Sequence, residues 1–342
     1  MEPNSTSPPA YQGCNKDSTA IKVFKTMAYV LLLLATLIGN SLVTIVIWRN
    51  KRLRTIITFF ILNMAVSDLL LPFCAFPGHI QHVFLPWGVW LVGGGFATFT
   101  CKLLPFAENM SITVSVLTLE LIAIDRFFNV VFHTKKQPIN TKKKCFILIA
   151  LTWLVAILFS SFFFYKRRIA YKDTTRYCIS TWEPAFNNVE AIKVQFPITL
   201  TFLSIIPLVL LIGLYSAIII VLQRQNNKLS LAPSAQQRRE KRFRRVTFML
   251  IAVVVVFICS WIPVSVYWFL LAYWWKTITC QTARFIFAAN FLSYTYAAIN
   301  PIIYYIFMED YRNGFRELLG CQICFKKQNT SNGKQETQTL SL

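Results

Sequence analysis

The sequence predicts an all-α membrane protein: a bundle of seven transmembrane helices followed by a short amphipathic eighth helix. Three observations carry that expectation. Of the 342 residues, 55% are hydrophobic and 14% charged, against the ~25% charged residues of an ordinary soluble domain, and the mean hydropathy is +0.50. The apolar residues are gathered into seven runs, each about the ~20 residues that a helix needs to cross ~30 Å of hydrocarbon. The basic residues stand between these runs rather than inside them.

Residues 1–23, beginning "MEPNSTSPPAYQGCNKDSTA", are polar and Pro-rich. They read as a translocated arm rather than a cleavable leader, so the first span is expected to act as its own insertion signal. Asn4-Ser5-Thr6 is an N-glycosylation acceptor that makes sense only outside the cell. Asn109-Met110-Ser111 fits the same pattern but falls within a predicted span.

The first span, "YVLLLLATLIGNSLVTIVIW" over 29–48, carries Asn40. Further runs lie near 56–83 with Asp68, 97–131 with Glu108 and Ser115, 143–165, 193–223, 246–273 and 283–307. The bundle is expected over 24–308. After it, "EDYRNGFRELLG" (309–320) spaces Tyr311, Phe315, Leu318 and Leu319 so that the helix lies flat on a membrane. A tail follows over 321–342.

Basic residues set the orientation. Arg49, Lys51, Arg52 and Arg54 follow the first span. Lys135, Lys136, Lys142, Lys143 and Lys144 follow the third, "RREKRFRR" (238–245) follows the fifth, and Lys326 and Lys327 stand in the tail. Positive-inside bias makes these cytoplasmic and puts the N-terminus outside. The loop 166–193, with Lys166, Arg167, Arg168, Lys172, Arg176 and Lys193, argues the other way and is outvoted. The net charge of +21 is thus charge at the bilayer surface and not a nucleic-acid footprint, because it flanks spans instead of covering one face.

This sidedness sorts the cysteines. Cys101, at the start of the third span, and Cys178, in the loop 166–193, both lie outside, where an oxidising compartment lets them pair. Cys14 and Cys280 lie on the same side and would allow a second bridge. Cys321 and Cys324, just beyond the last span, invite palmitoylation. His79, His82 and His133 are the three histidines, and a pair at i, i+3 is too little for a metal site. The residues hold no nucleophile arrangement and no phosphate loop, so an enzyme is not expected.

Several spans carry polar residues that lipid cannot satisfy, and these should face one another. The densest case is "LTLELIAIDRFFNVV" (117–131), with Glu120 and the adjacent pair Asp125-Arg126. Asn300-Pro301 interrupts the last span, and "CSWIP" places Trp261 beside Pro263 in the sixth. No internal repeat of the kind found in transporters accompanies them.

Taken in order, Gly39-Asn40, "NMAVSDLL" with Asp68, Cys101, Asp125-Arg126-Phe127, Trp153, Pro207 with Tyr215, "CSWIP" and Asn300-Pro301-Ile302-Ile303-Tyr304 resemble the rhodopsin-like (class A) G-protein-coupled receptors. The likeness runs from about residue 24 to 324. It implies a plasma-membrane receptor that activates a heterotrimeric G protein, with arrestin and receptor kinases as further partners. It implies that Asp125 neutralises Arg126 in the closed state, and that on activation Arg126 reaches Tyr215 and Tyr304 as the sixth helix moves about Trp261 and Pro263. No acid opens the sixth span to lock Arg126, which leaves Asp125 alone or Thr247 as its closed-state partner. Asn40, Asp68, Ser115 and Asn300 resemble the family's sodium pocket. Tyr296 and Ala297 stand where small polar side chains are usual, so a hydrated polar network is expected there and a sodium ion is left open. No other cofactor is implied.

For the ligand, Glu108 stands eighteen residues before Arg126, about 27 Å along a helix. It occupies the place where aminergic receptors pair an acid with the ligand's ammonium. Lys102 and Arg284 are alternative partners for it. The long aromatic loop 166–193, with Trp182, and the sequence around the second and third spans are similar to receptors for short amidated neuropeptides of the neuropeptide Y, RFamide and tachykinin kinds. Glu108, Trp182, Trp261, Tyr267 and Asn290 are the expected ligand contacts. The alternatives are a receptor for a biogenic amine or other small cation, or a seven-helix scavenger or scaffold that does not signal.

Overall fold

A computed structural model of the chain describes residues 17–132, 139, 141–229, 234–274 and 280–318. Asn4, Cys14, Cys321 and Cys324 lie outside the described residues, as do Leu319 and the side chain of Cys280.

Helix α1 (Thr19–Arg49) begins ten residues before the apolar run 29–48, because Ser18 caps it by accepting a bond from the Ile21 amide. Helix α2 (Ile56–Phe84) opens on a reciprocal cap between Thr55 and Thr58. Gly88 and Gly94 adopt left-handed backbone on the way into α3 (Gly94–Phe127). Helix α4 (Lys142–Lys166) is capped by Thr141 and runs into a hairpin of β1 (Arg167–Lys172) and β2 (Thr175–Ser180). Lys172 pairs with Thr175, which leaves a two-residue turn, and Asp173 takes the left-handed conformation that such turns demand.

Helix α5 is continuous through Asn188–Leu200, a wider π turn Thr201–Ile205, and Ile206–Leu229. Then come α6 (Ser234–Tyr273), α7 (Cys280–Phe307) and α8 (Glu309–Leu318). Six of the seven long helical segments are apolar and long enough to cross a membrane. The remaining one, α3, is 34 residues long, also enough to cross, and is the one that carries Glu108, Glu120, Asp125 and Arg126. Helix α8 buries Tyr311 and Gly314, and Phe315 and Leu318 of its expected apolar face pack partly buried against the core.

The burial pattern is that of a bundle in lipid. Phe24, Leu31, Trp48, Leu158, Val209 and Ile302 are exposed, whereas Asn40, Asp68, Ser111, Ser115 and Asn300 are buried. Polar groups therefore meet inside, where they can satisfy one another. Helix α3 is central, packing against α2, α4, α5 and β1. Asn63 knits its neighbours: it accepts from the Trp153 indole at 2.8 Å and donates to Thr118 at 2.9 Å and Thr152 at 3.5 Å. Asn109, in the second glycosylation-like tripeptide, is an internal residue of α3 that donates to Ser160 of α4 at 2.9 Å.

Two glycines set how closely helices approach. A Cβ on Gly39 of α1 would stand 2.9 Å from Pro301 Cγ of α7, and one on Gly314 of α8 would stand 2.9 Å from Val46 Cγ1 of α1. Lacking side chains, these glycines let the Pro301 ring and the Val46 side chain seat directly on the α1 and α8 backbones.

Candidate functional site

Two sets of buried polar groups occupy opposite ends of α3. At its first end, Cys178 of β2 is bonded to Cys101 of α3. The hairpin is also held from the α2–α3 connection, where Cys178 N–H donates to Gly88 carbonyl and Trp90 N–H donates to Arg176 carbonyl, both at 2.8 Å. Glu108 lies seven residues beyond Cys101 in α3. Two turns of helix return it to the same face, about 10 Å deeper. The disulfide thus fixes the hairpin over the face that carries Glu108.

Glu108 reaches neither Lys102 nor Arg284. Its carboxylate accepts a short hydrogen bond from the Tyr294 hydroxyl of α7, and that hydroxyl also meets His79 Nε2 of α2 at 2.9 Å. The His79 ring stacks on Tyr29 of α1, centroids 5.3 Å apart, and Tyr29 packs edge-on against Phe287 and Phe291. Four helices therefore converge on one carboxylate. Among the described residues no cation lies within 4 Å of Glu108.

The other expected ligand contacts are spread around this centre. Tyr267 is buried in the α6–α7 seam with Val264, Ile286 and Ala289. Asn290, one helical turn before Tyr294, is half-buried. Trp261 packs against both that seam and the main core; its indole N–H is buried and makes no hydrogen bond. Trp182 is tied up locally: its indole donates to Gln195 of α5 at 3.1 Å, and its ring lies near Phe162, Tyr165 and Phe186. It anchors the loop between hairpin and α5.

Sequence reasoning missed the partners of Glu108. Tyr294 and His79 carry no local mark of their role, since a histidine at i, i+3 from another reads in sequence as no more than half of a metal pair. It also missed Lys166 and Arg167, which counted only as charges against the topology. Burial lowers the Arg167 guanidinium from its ordinary value, and the charge of Glu108 opposes that shift. A guanidinium stays protonated throughout.

Midway along the bundle, Asp68 Oδ1 accepts from Ser115 at 3.0 Å and Oδ2 from Asn300 at 3.5 Å. Ser67 adds a 3.0 Å contact to Ser115. Asn40 does not join this set; it donates to the Thr36 and Ala297 carbonyls at 2.9 Å each, bonding α1 to α7. The Asn300 Oδ1 and Tyr296 hydroxyl are buried without a hydrogen-bond partner. With the Asp68 carboxylate and the Ser115 hydroxyl they make an oxygen-only donor set with a single negative charge, and that chemistry fits a hard monovalent cation.

At the far end of α3, Arg126 donates through its terminal nitrogen and Nε to one oxygen of Asp125, at 2.6 and 3.2 Å. Asp125 is 2% exposed. Tyr215 of α5 is buried within reach of the Arg126 charge, and its hydroxyl makes no hydrogen bond. Tyr304 and Thr247 are buried on α7 and α6. Pro263 and Pro301 each interrupt a helix from within.

Glu120 stands apart from both sets. One of its carboxylate oxygens is buried with no partner, and an unpaired buried acceptor costs about 1–3 kcal/mol. Glu120→Leu is therefore expected to raise the Tm of the purified receptor in detergent. A lower Tm would mean that the carboxylate is satisfied within the membrane.

This arrangement defines a seven-helix receptor. Residues 39–304 match the family model of the 7 transmembrane receptors of the rhodopsin family, and the chain belongs to that family of G-protein-coupled receptors, multi-pass membrane proteins and not enzymes. It is 27% identical to a QRFP-like peptide receptor of Branchiostoma floridae over 90% of this chain and 80% of that one. It is 29% identical to neuropeptide FF receptor 1 of Rattus norvegicus over 90% and 73%, and 25% identical to galanin receptor type 1 of Mus musculus over 93% and 88%.

Proposed function

We propose that this receptor is opened by a short extracellular peptide presenting a basic residue or an amidated terminus to Glu108. The single observation that carries the reading is the Glu108–Tyr294–His79 convergence beneath a disulfide-clamped hairpin. A carboxylate in that setting wants a positive partner, and among the described residues none stands within 4 Å, Arg167 acting on it at longer range. The relatives named for neuropeptide FF, QRFP-like and galanin ligands support the peptide class.

In this reading the hairpin end faces outward and the Asp125–Arg126 end faces the cytoplasm, with the N-terminus outside and the C-terminus inside. The arm 1–23 carries a glycan at Asn4, and Cys14 bridges to Cys280. Cys321 and Cys324 are palmitoylated beyond α8. Arg126, Tyr215, Tyr304 and the basic stretch 238–245 meet the G protein, and arrestin and receptor kinases use the same face. A sodium ion, when bound, would lie on Asp68, Ser115 and Asn300 and neutralise the buried carboxylate. Trp261, between the two apolar clusters, links pocket to core.

The test is a G-protein activation assay on cells expressing the receptor, challenged with short amidated peptides, basic peptides and biogenic amines. Peptides are expected to activate it, and Glu108→Gln to reduce their potency at least about tenfold at equal surface expression, the loss of roughly one charge-assisted hydrogen bond. Activation by amines alone would make this a receptor for small cations. Binding with no G-protein response would make it a scavenger. Unchanged potency in Glu108→Gln would remove that residue from the pocket.

A further inference from the structure

Two adjacent cations stand at the junction of α4 and β1. Lys166 is 9% exposed. Its ammonium lies over the rings of Phe162 and Phe163, at 4.7 and 4.5 Å, and donates to Gln195 at 3.3 Å. The Arg167 guanidinium lies 5.8 Å from the same Phe163 ring, and its Nε is buried with no hydrogen-bond partner. Among the described residues no carboxylate lies within 4 Å of either. Two like charges held side by side, one buried and one half-buried, with aromatic faces and one amide as compensation, are costly unless an anion joins them.

The hairpin register shows where Arg167 points. Ile169 pairs with Cys178 and Arg167 with Ser180. Residues two apart on a strand share a face, and directly paired residues do too. Arg167 therefore shares the face of Cys178, whose sulfur reaches α3 above Glu108. Arg167 lies in the electrostatic field of Glu108 without forming an ion pair with it. The end of the bundle beneath the hairpin is thus bipolar, with one acid on α3 and two bases on the α4–β1 side.

We propose that Lys166 and Arg167 bind a carboxylate of the ligand while Glu108 takes its cationic group, so that the receptor reads peptides carrying both charges. This rests on the reading of the pocket as the ligand site. It adds a requirement that an amidated terminus alone does not meet.

The experiment measures thermal stabilisation of the purified full-length receptor by three probes. These are N-acetyl-Arg-Phe with a free C-terminal carboxylate, the same dipeptide amidated, and N-acetyl-Arg-Glu amidated. The free acid or the glutamyl amide is expected to bind at least about tenfold more tightly than N-acetyl-Arg-Phe amide, the worth of one charge-assisted bond. A preference for the first assigns a terminal carboxylate, and for the third a side-chain one. Arg167→Gln and Lys166→Gln are each expected to erase the preference, whereas Glu108→Gln weakens all three probes alike. No difference among the probes, whether all or none stabilise, overturns the proposal, as does a preference that survives Arg167→Gln. The comparison on the native sequence needs no variant to fold. A carboxylate preference with no peptide activating the receptor would leave this inference standing and remove the peptide-agonist reading.

Discussion

Arg126→Leu is expected to leave peptide binding within about threefold of the native receptor and to cut G-protein activation by at least tenfold to a hundredfold, the loss of one or more bonds to a charged group at ~1.5–3 kcal/mol each. Arg126 is the one cation within 4 Å of Asp125 among the described residues, through contacts of 2.6 and 3.2 Å to a single carboxylate oxygen. Asp125 is almost fully buried. A guanidinium cannot be neutralised at physiological pH, so it can only trade one partner for another. The Tyr215 hydroxyl, buried nearby with its hydrogen-bonding capacity unspent, is a ready second partner. Asp125→Asn weakens the closed arrangement and is expected to raise signalling without ligand. The two variants should move in opposite directions in one activation assay. Wild-type coupling by Arg126→Leu would place the switch elsewhere in the bundle.

Cys178→Ala is the second large effect. Closing a loop of 77 residues with a disulfide is worth about 4.5 kcal/mol for a free chain. Here the packing of α3 against α4 already closes most of that loop, so the bundle itself loses little. What is lost is the position of the hairpin over Glu108. Backbone bonds from Cys178 and Trp90 still hold β2 to the α2–α3 connection, which makes the expected outcome a weakened pocket rather than an absent one. Agonist potency should fall by more than about tenfold while the Tm in detergent falls by a few degrees. Cys101→Ala should behave the same, and the double variant no worse. Full potency without the disulfide would show that the hairpin does not form the pocket.

The spans and α8 are legible in the sequence because a membrane demands long apolar runs and an amphipathic helix has a readable spacing. Sidedness read from the basic residues groups Cys101 and Cys178 with Cys14 and Cys280, and the bond between the first two is what the structure adds. The centre of the pocket is not legible in this way. Glu108 stands out as a charge in a span, but its choice of Tyr294 over Lys102 or Arg284 depends on how α3 and α7 are rotated, and no local pattern encodes that. The same holds for Asn40, whose side chain bonds to Ala297 rather than toward Asp68. Lys166 and Arg167 look like ordinary flanking bases until the register of β1 shows which face they occupy. The π turn in α5 is likewise a response to packing, with no sequence signal apart from nearby Pro197 and Pro207.

The two missing side chains at Gly39 and Gly314 have a mechanical consequence. They draw α1, the Pro301 region of α7 and α8 into one block, further fastened by Asn40 to the Ala297 carbonyl. Where α6 meets this block beside α8, the contact is Arg245 to Glu309 at 3.7 Å, with both side chains half or more in solvent. Such a pair contributes under ~1 kcal/mol. The molecule is therefore a stator along which α6 is seamed to α7, through Ser260 to Thr295 at 3.1 Å and Phe257 edge-on to Tyr296, and moored weakly at its α8 end, so that this end is the one displaced when a ligand pulls on α6.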